Sequence, residues 1–346
     1  MAPLIIVGTG LAGYTFAKEF RKLDAERPML LLTSDDGRNY SKPMLSTGFG
    51  KAKTADELAM NDAAAMAAQL KADLRVNVRV ESIDTNAKTL TLHNGDVVAY
   101  SSLVLAWGAE VFRPPMQGDA LDDVYSVNDL LDYAAFREAL AGKKRVAIIG
   151  GGLIGCEFAN DLSLGGFETT VIEPMGRALP TLLPEASSAA VQAGLEGLGV
   201  KFAFGAFASE VNRTADGIEV VLSDGRKLAA DLVLSAVGLR PRTAVAKAAG
   251  ITVNRGVVTD RFLKTSAADV YAIGDCAEVE GLVLLYVLPL MAEARALAKT
   301  LSGQATAVEY PPMPVAIKTP VCPVVVSPPP VGVEGQWSVE GEGANT

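Results

Sequence analysis

The sequence predicts an α/β protein with parallel sheets, and three observations lead there. Leu4 to Val7 is a short, uninterrupted apolar run, closed by Gly8, Gly10 and Gly13 and followed by helical spacing. "VAIIGGGLIGCEF", Val146 to Phe158, repeats the arrangement with Gly150, Gly152 and Gly155. Each is followed by a further apolar run, Met29 to Leu32 and Thr169 to Ile172. Strands covered on both faces read this way, and strand–helix–strand order requires a crossover between parallel strands.

In chain order, Leu11 to Leu23 has helical spacing, with Phe16, Phe20 and Leu23 on one side. Arg38 to Lys53 mixes polar residues with Pro and Gly and reads as a structured loop leading into a helix; the Ala-rich Asp56 to Leu70 reads as one helix. Val76 to Ile83 and Thr89 to His93 alternate as antiparallel strands around an Asn94-Gly95 turn. Ser102 to Ala106 is a buried strand ended by Trp107-Gly108, and Pro114-Pro115 marks a boundary. Asp129 to Leu140 and Leu153 to Leu164 read as helices, Ile218 to Leu222 and Lys227 to Leu228 as a hairpin, Leu232 to Val237 as a buried strand. Val270 to Ile273 is a last apolar strand before Gly274-Asp275, and Ala292 to Leu301 a helix. From Pro311 the chain is Pro-rich with β-formers, the mark of a small β-rich domain.

Composition excludes several classes. A length of 346 residues suggests two or three domains, and 31 basic against 40 acidic residues, net −9, gives no basic bias for nucleic acid. Cys156, Cys276 and Cys322 are far apart and form no CxxC, as in a reduced intracellular protein, and packing is the expected role of each. The single histidine, His93, precedes a hairpin turn, so it is expected to be exposed and a zinc site is not expected. No run reaches the roughly 18 apolar residues of a membrane span. Met1 to Pro3 carries no basic leader and Leu4 to Val7 is too short for one, so the cytoplasm is the expected location.

A glycine triplet placed between strand and helix has a specific use. The first allows the turn, the second lets backbone approach a pyrophosphate, and the third allows close helix packing; the helix start then attracts phosphate. In the first unit these are Gly8, Gly10 and Gly13, with Leu11 and Ala12 at the helix start. In the second they are Gly150, Gly152 and Gly155, with Leu153 and Ile154. A ribose-binding acid is expected about 20 residues on. Asp35 or Asp36 serves in the first unit; Glu173 in the second favours NADH over NADPH, with Arg177 near enough to blur the preference. Two Rossmann-like dinucleotide-binding domains in one chain suggest an electron relay between nicotinamide and flavin.

"TSAADVYAIGDCAE", Thr265 to Glu278, resembles the second FAD fingerprint of the two-dinucleotide-domain flavoprotein reductases, whose Asp, here Asp275 after Gly274, meets the flavin's ribityl or pyrophosphate region. "LVLAWGAE" resembles that family's crossover motif, with Trp107 before Gly108 where Thr is usual. The resemblance implies an FAD domain of residues 1–112 and 244–310, an inserted NAD domain of residues 113–243, and a C-terminal domain of residues 311–346. The resembling chains continue past "GQWSVEG", so that last domain is expected to be truncated. No CxxxxC, Ser-Cys or CxxC stands where the disulphide branches carry one, so no thiol relay is expected.

"YSKPMLS", "GGLIGCEFANDL" and "VAIKTP" resemble the rubredoxin reductase branch and its flavorubredoxin reductase relatives, and more distantly ferredoxin reductases and apoptosis-inducing factor. The resemblance implies that Lys42 pairs with Glu157 beside the flavin, and that Lys318 touches the flavin edge. It also implies main-chain contacts from Val80 to adenine and Val287 to the isoalloxazine, Thr33 and Ser34 beside the ribose, and Gly238 against the nicotinamide. The expected activity is transfer from NADH through FAD to rubredoxin, for a downstream oxygenase (alkane hydroxylation) or an oxygen or peroxide reductase. The alternatives are a ferredoxin or flavorubredoxin reductase, or a redox sensor. A transient complex with acidic rubredoxin calls for a local basic patch, with Arg38 and Lys318 as candidates, on a monomer.

Overall fold

The computed structural model describes residues 2–329 and 333–341. The elements used below are, in chain order, β1 (Leu4–Val7), α1 (Leu11–Leu23), β2 (Met29–Leu32), β3 (Asp73–Arg75), β4 (Ser102–Leu105), β5 (Val124–Tyr125), β6 (Arg145–Ile149), α2 (Leu153–Leu164), β7 (Glu168–Glu173), β8 (Lys201–Phe204), β9 (Leu232–Ser235), β10 (Val270–Ala272) and α3 (Val287–Leu301). The chain divides into two compact units: Met1–Lys42, Ala59–Glu110 and Leu239–Met313 form one, and Pro43–Leu58, Val111–Gly238 and Pro314–Thr346 the other. These bounds differ from the sequence division, because residues 43–58 and the C-terminal segment belong to the second unit.

The first unit is built on a parallel sheet of order β10-β4-β1-β2-β3. The chain steps outward from β1 through β2 to β3, then returns to lay β4 and β10 on the other side. Strand order therefore reverses at β1, and the crevice beyond its C-terminal end is where ligands of such sheets bind. Leu4, Ile5 and Ile6 are fully buried, in a core shared with α1, α3 and the antiparallel strands Val80–Asp84 and Thr89–Leu92, which leaves β1 no polar side. Phe16 and Phe20 of α1 face this core with Leu290, Ala294 and Leu297 of α3.

The second unit repeats the plan with order β5-β9-β6-β7-β8, reversing at β6. A three-stranded antiparallel sheet (Ala208–Thr214, Gly217–Leu222, Lys227–Ala230) covers one face; Val211, Val220 and Leu222 pack there with Ala147 and Ile149 of β6. A two-stranded antiparallel sheet, Val315–Ile317 with Val324–Val326, forms the small β-rich C-terminal part.

Two expectations need correction, and one helix was not foreseen. Residues 56–70 are two helices, Ala55–Leu58 and Ala63–Leu70, separated by the strand Ala59–Asn61; Asp62 starts a new helix by accepting from Ala65 N at 2.7 Å. Helix α3 begins at Val287 rather than Ala292, because Pro289 falls in its first turn, where its missing N–H costs nothing. Glu185–Gly197 is a helix that the sequence pattern did not reveal.

Candidate functional site

The first glycine cradle lies at the end of β1. Gly8 has φ +107°, and a Cβ there would sit 2.3 Å from Ala106 O; a Cβ on Gly13 would sit 2.0 Å from Gly8 O. Around Gly10 nothing lies within 4 Å of a built Cβ. Two glycines are thus forced by packing, while the middle one faces open space, as pyrophosphate approach requires. Helix α1 starts there with no side-chain cap and no acid in its first turn, so its N–H groups and positive end face that space.

The two acids that follow differ in their partners. Asp35 Oδ1 accepts from Thr33 Oγ1 at 2.6 Å, from Gly37 N at 2.9 Å and from the cradle residue Thr9 at 3.3 Å. Asp36 instead engages Arg38, whose Nε donates at 2.7 Å. Asp35 is therefore the carboxylate held at the cradle. Thr33 is buried and Ser34 exposed beside it.

Gly274 and Asp275 form a short turn after β10. Gly274 has φ +70°, and a Cβ there would sit 2.7 Å from Ala12 Cβ, so the turn lies directly on the start of α1. Lys42 Nζ pairs with Asp275 Oδ2 at 3.4 Å. Gly274 N donates to Glu293 Oε2 at 2.6 Å, and Tyr310 OH donates to Glu293 Oε1 at 2.8 Å. Burial pushes the Glu293 carboxyl up to about 7. Sequence reasoning missed Glu293, although it was findable: a glutamate sits on the Leu290, Ala294, Leu297 stripe of α3, where only apolar residues are expected. Val287 is half-buried at the start of α3, and Val80 lies in the core.

Trp107, the departure from Thr, has a structural use. Its Nε1 donates to Arg242 O at 2.9 Å, and Arg242 Nη1 donates to Trp107 O at 3.0 Å. The pair lies at the start of the strand Ala109–Val111 and the end of its partner strand Leu239–Pro241, next to Gly108 at φ +71°.

The second cradle has the same steric logic. Gly150 has φ +104° with a Cβ position 2.8 Å from Ala236 O, a Cβ on Gly155 would meet Gly150 O at 1.8 Å, and Gly152 faces open space. Helix α2 starts uncapped, with Leu153 half-buried and Ile154 exposed. Glu173 accepts from Gly151 N at 2.7 Å and Met175 N at 2.9 Å, which fixes a carboxylate at the end of β7 beside the glycines. Arg177 turns into its own loop, donating to Pro180 O at 3.0 Å and Leu183 O at 3.4 Å. Gly238 is exposed at φ +115°.

Helix α2 carries a buried polar face of Glu157, Asn160 and Asp161. Glu157 Oε2 accepts from Lys318 Nζ at 2.5 Å and Ser46 Oγ at 2.7 Å, and its Oε1 accepts from Lys318 N at 3.0 Å. Asp161 accepts from Phe49 N at 2.8 Å and Gly50 N at 2.9 Å, and burial raises its pKa. Lys42 and Glu157, expected to pair, fall in different units; within its own unit Lys42 has Asp275 and Glu157 has Lys318.

Two similar parallel sheets with two similar cradles invite comparison with known proteins. Residues 2–300 match the family described as Pyridine nucleotide-disulphide oxidoreductase. The chain belongs to that family. Residues 307–346 match the family described as Rubredoxin binding C-terminal domain. The Rubredoxin-NAD(+) reductase of Alcanivorax borkumensis is 60% identical over 99% of this chain and 90% of its own. That of Acinetobacter baylyi is 47% identical over 98% and 88%. Among solved structures, the ferredoxin reductase for the CYP199A2 system from Rhodopseudomonas palustris superposes with a TM-score of 0.84 at 30% identity, over 90% of this chain and 79% of that one. Unlike what the family description suggests, the cysteines here are free and buried. Burial pushes the Cys156 and Cys276 thiols up to about 12, which leaves them inert at neutral pH.

Proposed function

We propose that this pyridine nucleotide-disulphide oxidoreductase takes electrons from NADH through FAD and passes them to rubredoxin. The observation that carries the reading is the pair of cradles, each with two sterically enforced glycines and an open middle one. The family match of residues 307–346 supports rubredoxin as acceptor over ferredoxin or flavorubredoxin. The first cradle, within the proposed FAD-binding residues 1–112 and 244–310, would hold FAD pyrophosphate at Gly10, Leu11 and Ala12, with Asp35 on the adenosine ribose. The second, within residues 113–243, would hold NADH at Gly152, Leu153 and Ile154. Glu173 would accept from the ribose hydroxyls and repel a 2′-phosphate, while Arg177 is occupied elsewhere. Residues 311–346 are the proposed C-terminal domain, and the cytoplasm is the proposed location, on the strength of three free cysteines.

Bound flavin would supply the chemistry, accepting two electrons as hydride and releasing them singly. The chain's residues supply position and charge. Lys42 and Lys318 are each paired with a carboxylate, and an ammonium placed beside the flavin would favour added negative charge on the cofactor. We place Lys42, held by Asp275, beside the flavin; Glu157 holds Lys318 instead. Lys42→Ala is expected to slow NADH-driven reduction about tenfold or more and alter the flavin spectrum while FAD stays bound; an unchanged rate and spectrum would place the lysine elsewhere.

The decisive measurement is the visible spectrum of the purified protein with purified acceptors. Flavin bands bleached by NADH and not NADPH, with rubredoxin reduced faster than ferredoxin or flavorubredoxin, are expected. A protein that stays colourless after incubation with FAD would end this reading.

A further inference from the structure

We propose that Glu293 is a positioning residue for the flavin: with Tyr310 it fixes the Gly274–Asp275 turn against the first cradle. The inference rests on the reading of that cradle as the FAD site. Glu293 is 3% exposed on a helix face that is otherwise apolar. A carboxyl group there costs stability through its desolvation, and an alanine or leucine would pack without that cost. What the carboxyl does is bridge. One oxygen takes the Gly274 amide at 2.6 Å and the other takes the Tyr310 hydroxyl at 2.8 Å.

Gly274 is the residue whose position matters most in that turn. It lies against Ala12, one of the main-chain residues at the cradle's helix start, so closely that a Cβ would be 2.7 Å from the Ala12 Cβ. Asp275, next in the chain, pairs with Lys42. A shift of the Gly274 amide would therefore move three groups proposed to touch the cofactor: Asp275, the Lys42 ammonium that it holds, and the start of α1. Glu293 bonds to the Gly274 amide, and Tyr310 bonds to Glu293. They act through the turn, and Tyr310 is held to α3 by the same carboxyl from outside the helix.

The hydrogen bonds carry the role rather than the charge, and this separates it from space filling. Gln at 293 keeps an acceptor for Gly274 N and a partner for Tyr310 OH. Met at 293 keeps the volume and leaves both unpaired. The test compares the FAD affinity of the apoproteins, read by flavin fluorescence quenching, with their melting temperatures and the spectra of the bound flavin. Glu293→Gln is expected to bind FAD within about threefold of wild type with an unshifted spectrum. Glu293→Met is expected to bind tenfold or more weakly, with shifted flavin bands, while its apoprotein still unfolds in one cooperative transition. Equal affinity and identical spectra for Gln and Met would overturn the proposal. Where Glu293→Met does not fold, Tyr310→Phe carries the test: weakening of threefold or more at an unchanged apoprotein melting temperature supports the role, and an unchanged affinity overturns it. A wild-type protein that binds no FAD would refute the cofactor reading instead, so the two failures are distinct.

Discussion

At the scale of the residue, the glycines separate folding from binding. Gly13 and Gly155 have backbone in the place of a side chain, so any substitution there disturbs the fold itself. Gly10 and Gly152 have extended backbone and open space, so a side chain costs the fold little and fills the place of phosphate. Gly152→Val is expected to melt within about 2 °C of wild type, keep FAD, and raise the KM for NADH at least tenfold. Titration at Glu293 gives a second expectation. Its folded pKa is raised to about 7 from an ordinary 4.5, chiefly by burial and further by Asp275, while the bonds from Gly274 N and Tyr310 OH oppose the shift. Lys42 pairs with Asp275, and Glu280 acts on Tyr310. The folded state then holds a proton that the unfolded chain releases near 4.5, so stability falls as pH rises from about 4.5 to about 7 and is level above. The group's contribution to that fall is on the order of 3 kcal/mol. Glu293→Gln should remove it, which denaturant unfolding of the apoprotein at pH 5 and pH 8 would measure; equal pH slopes for the two proteins would contradict it.

At the scale of the element, helix α2 does two jobs with two ends. Its start forms the second cradle, and its buried polar face ties down residues 46–50 through Glu157 and Asp161 and the segment at Lys318 through Glu157. Asp161→Ala would leave the buried Phe49 amide without its acceptor, at about 1–3 kcal/mol, while the exposed Gly50 amide turns to water. The expected result is a lower urea midpoint at an unchanged m-value, and an unchanged midpoint would show that the segment is held otherwise. The apolar period marked this helix correctly from Leu153 to Leu164, but the polar residues on its buried side had no visible partners in the sequence. Elements with competing local signals were harder to read. Ala-rich residues 56–70 have helical propensity throughout, yet pairing of Ala59–Asn61 with Asn39–Tyr40 breaks them in two. Proline at 289 obscured the first turn of α3.

At the scale of the whole molecule, a chain of net charge −9 would meet the acidic partner that the resemblance implies by a local field rather than a global one. Arg38 and Lys318, the candidates for that field, are each compensated by a carboxylate, Asp36 and Glu157. The expected signature is kinetic. NADH-to-rubredoxin turnover should fall steeply as ionic strength passes from about 0.01 M to about 0.15 M, where the screening length shrinks from about 30 Å to about 8 Å. NADH-to-ferricyanide turnover should not. A parallel response of the two acceptors would remove the basic patch from the reading.

The two cradles were legible because their causes are local. A buried strand needs continuous apolar residues, a tight turn needs glycine, and close helix packing needs another glycine five residues on, all within one short stretch. The side chains that serve the cradles were legible only in part. Lys42 and Asp275 meet across 233 residues, and Glu157 and Lys318 across 161. Glu293 reads in sequence as an unexplained charge on an apolar helix face. Its purpose is visible only where the fold sets it against the Gly274 amide. Spacing along the chain sets the backbone's local path, whereas partners that far apart are chosen by how the sheets and helices pack.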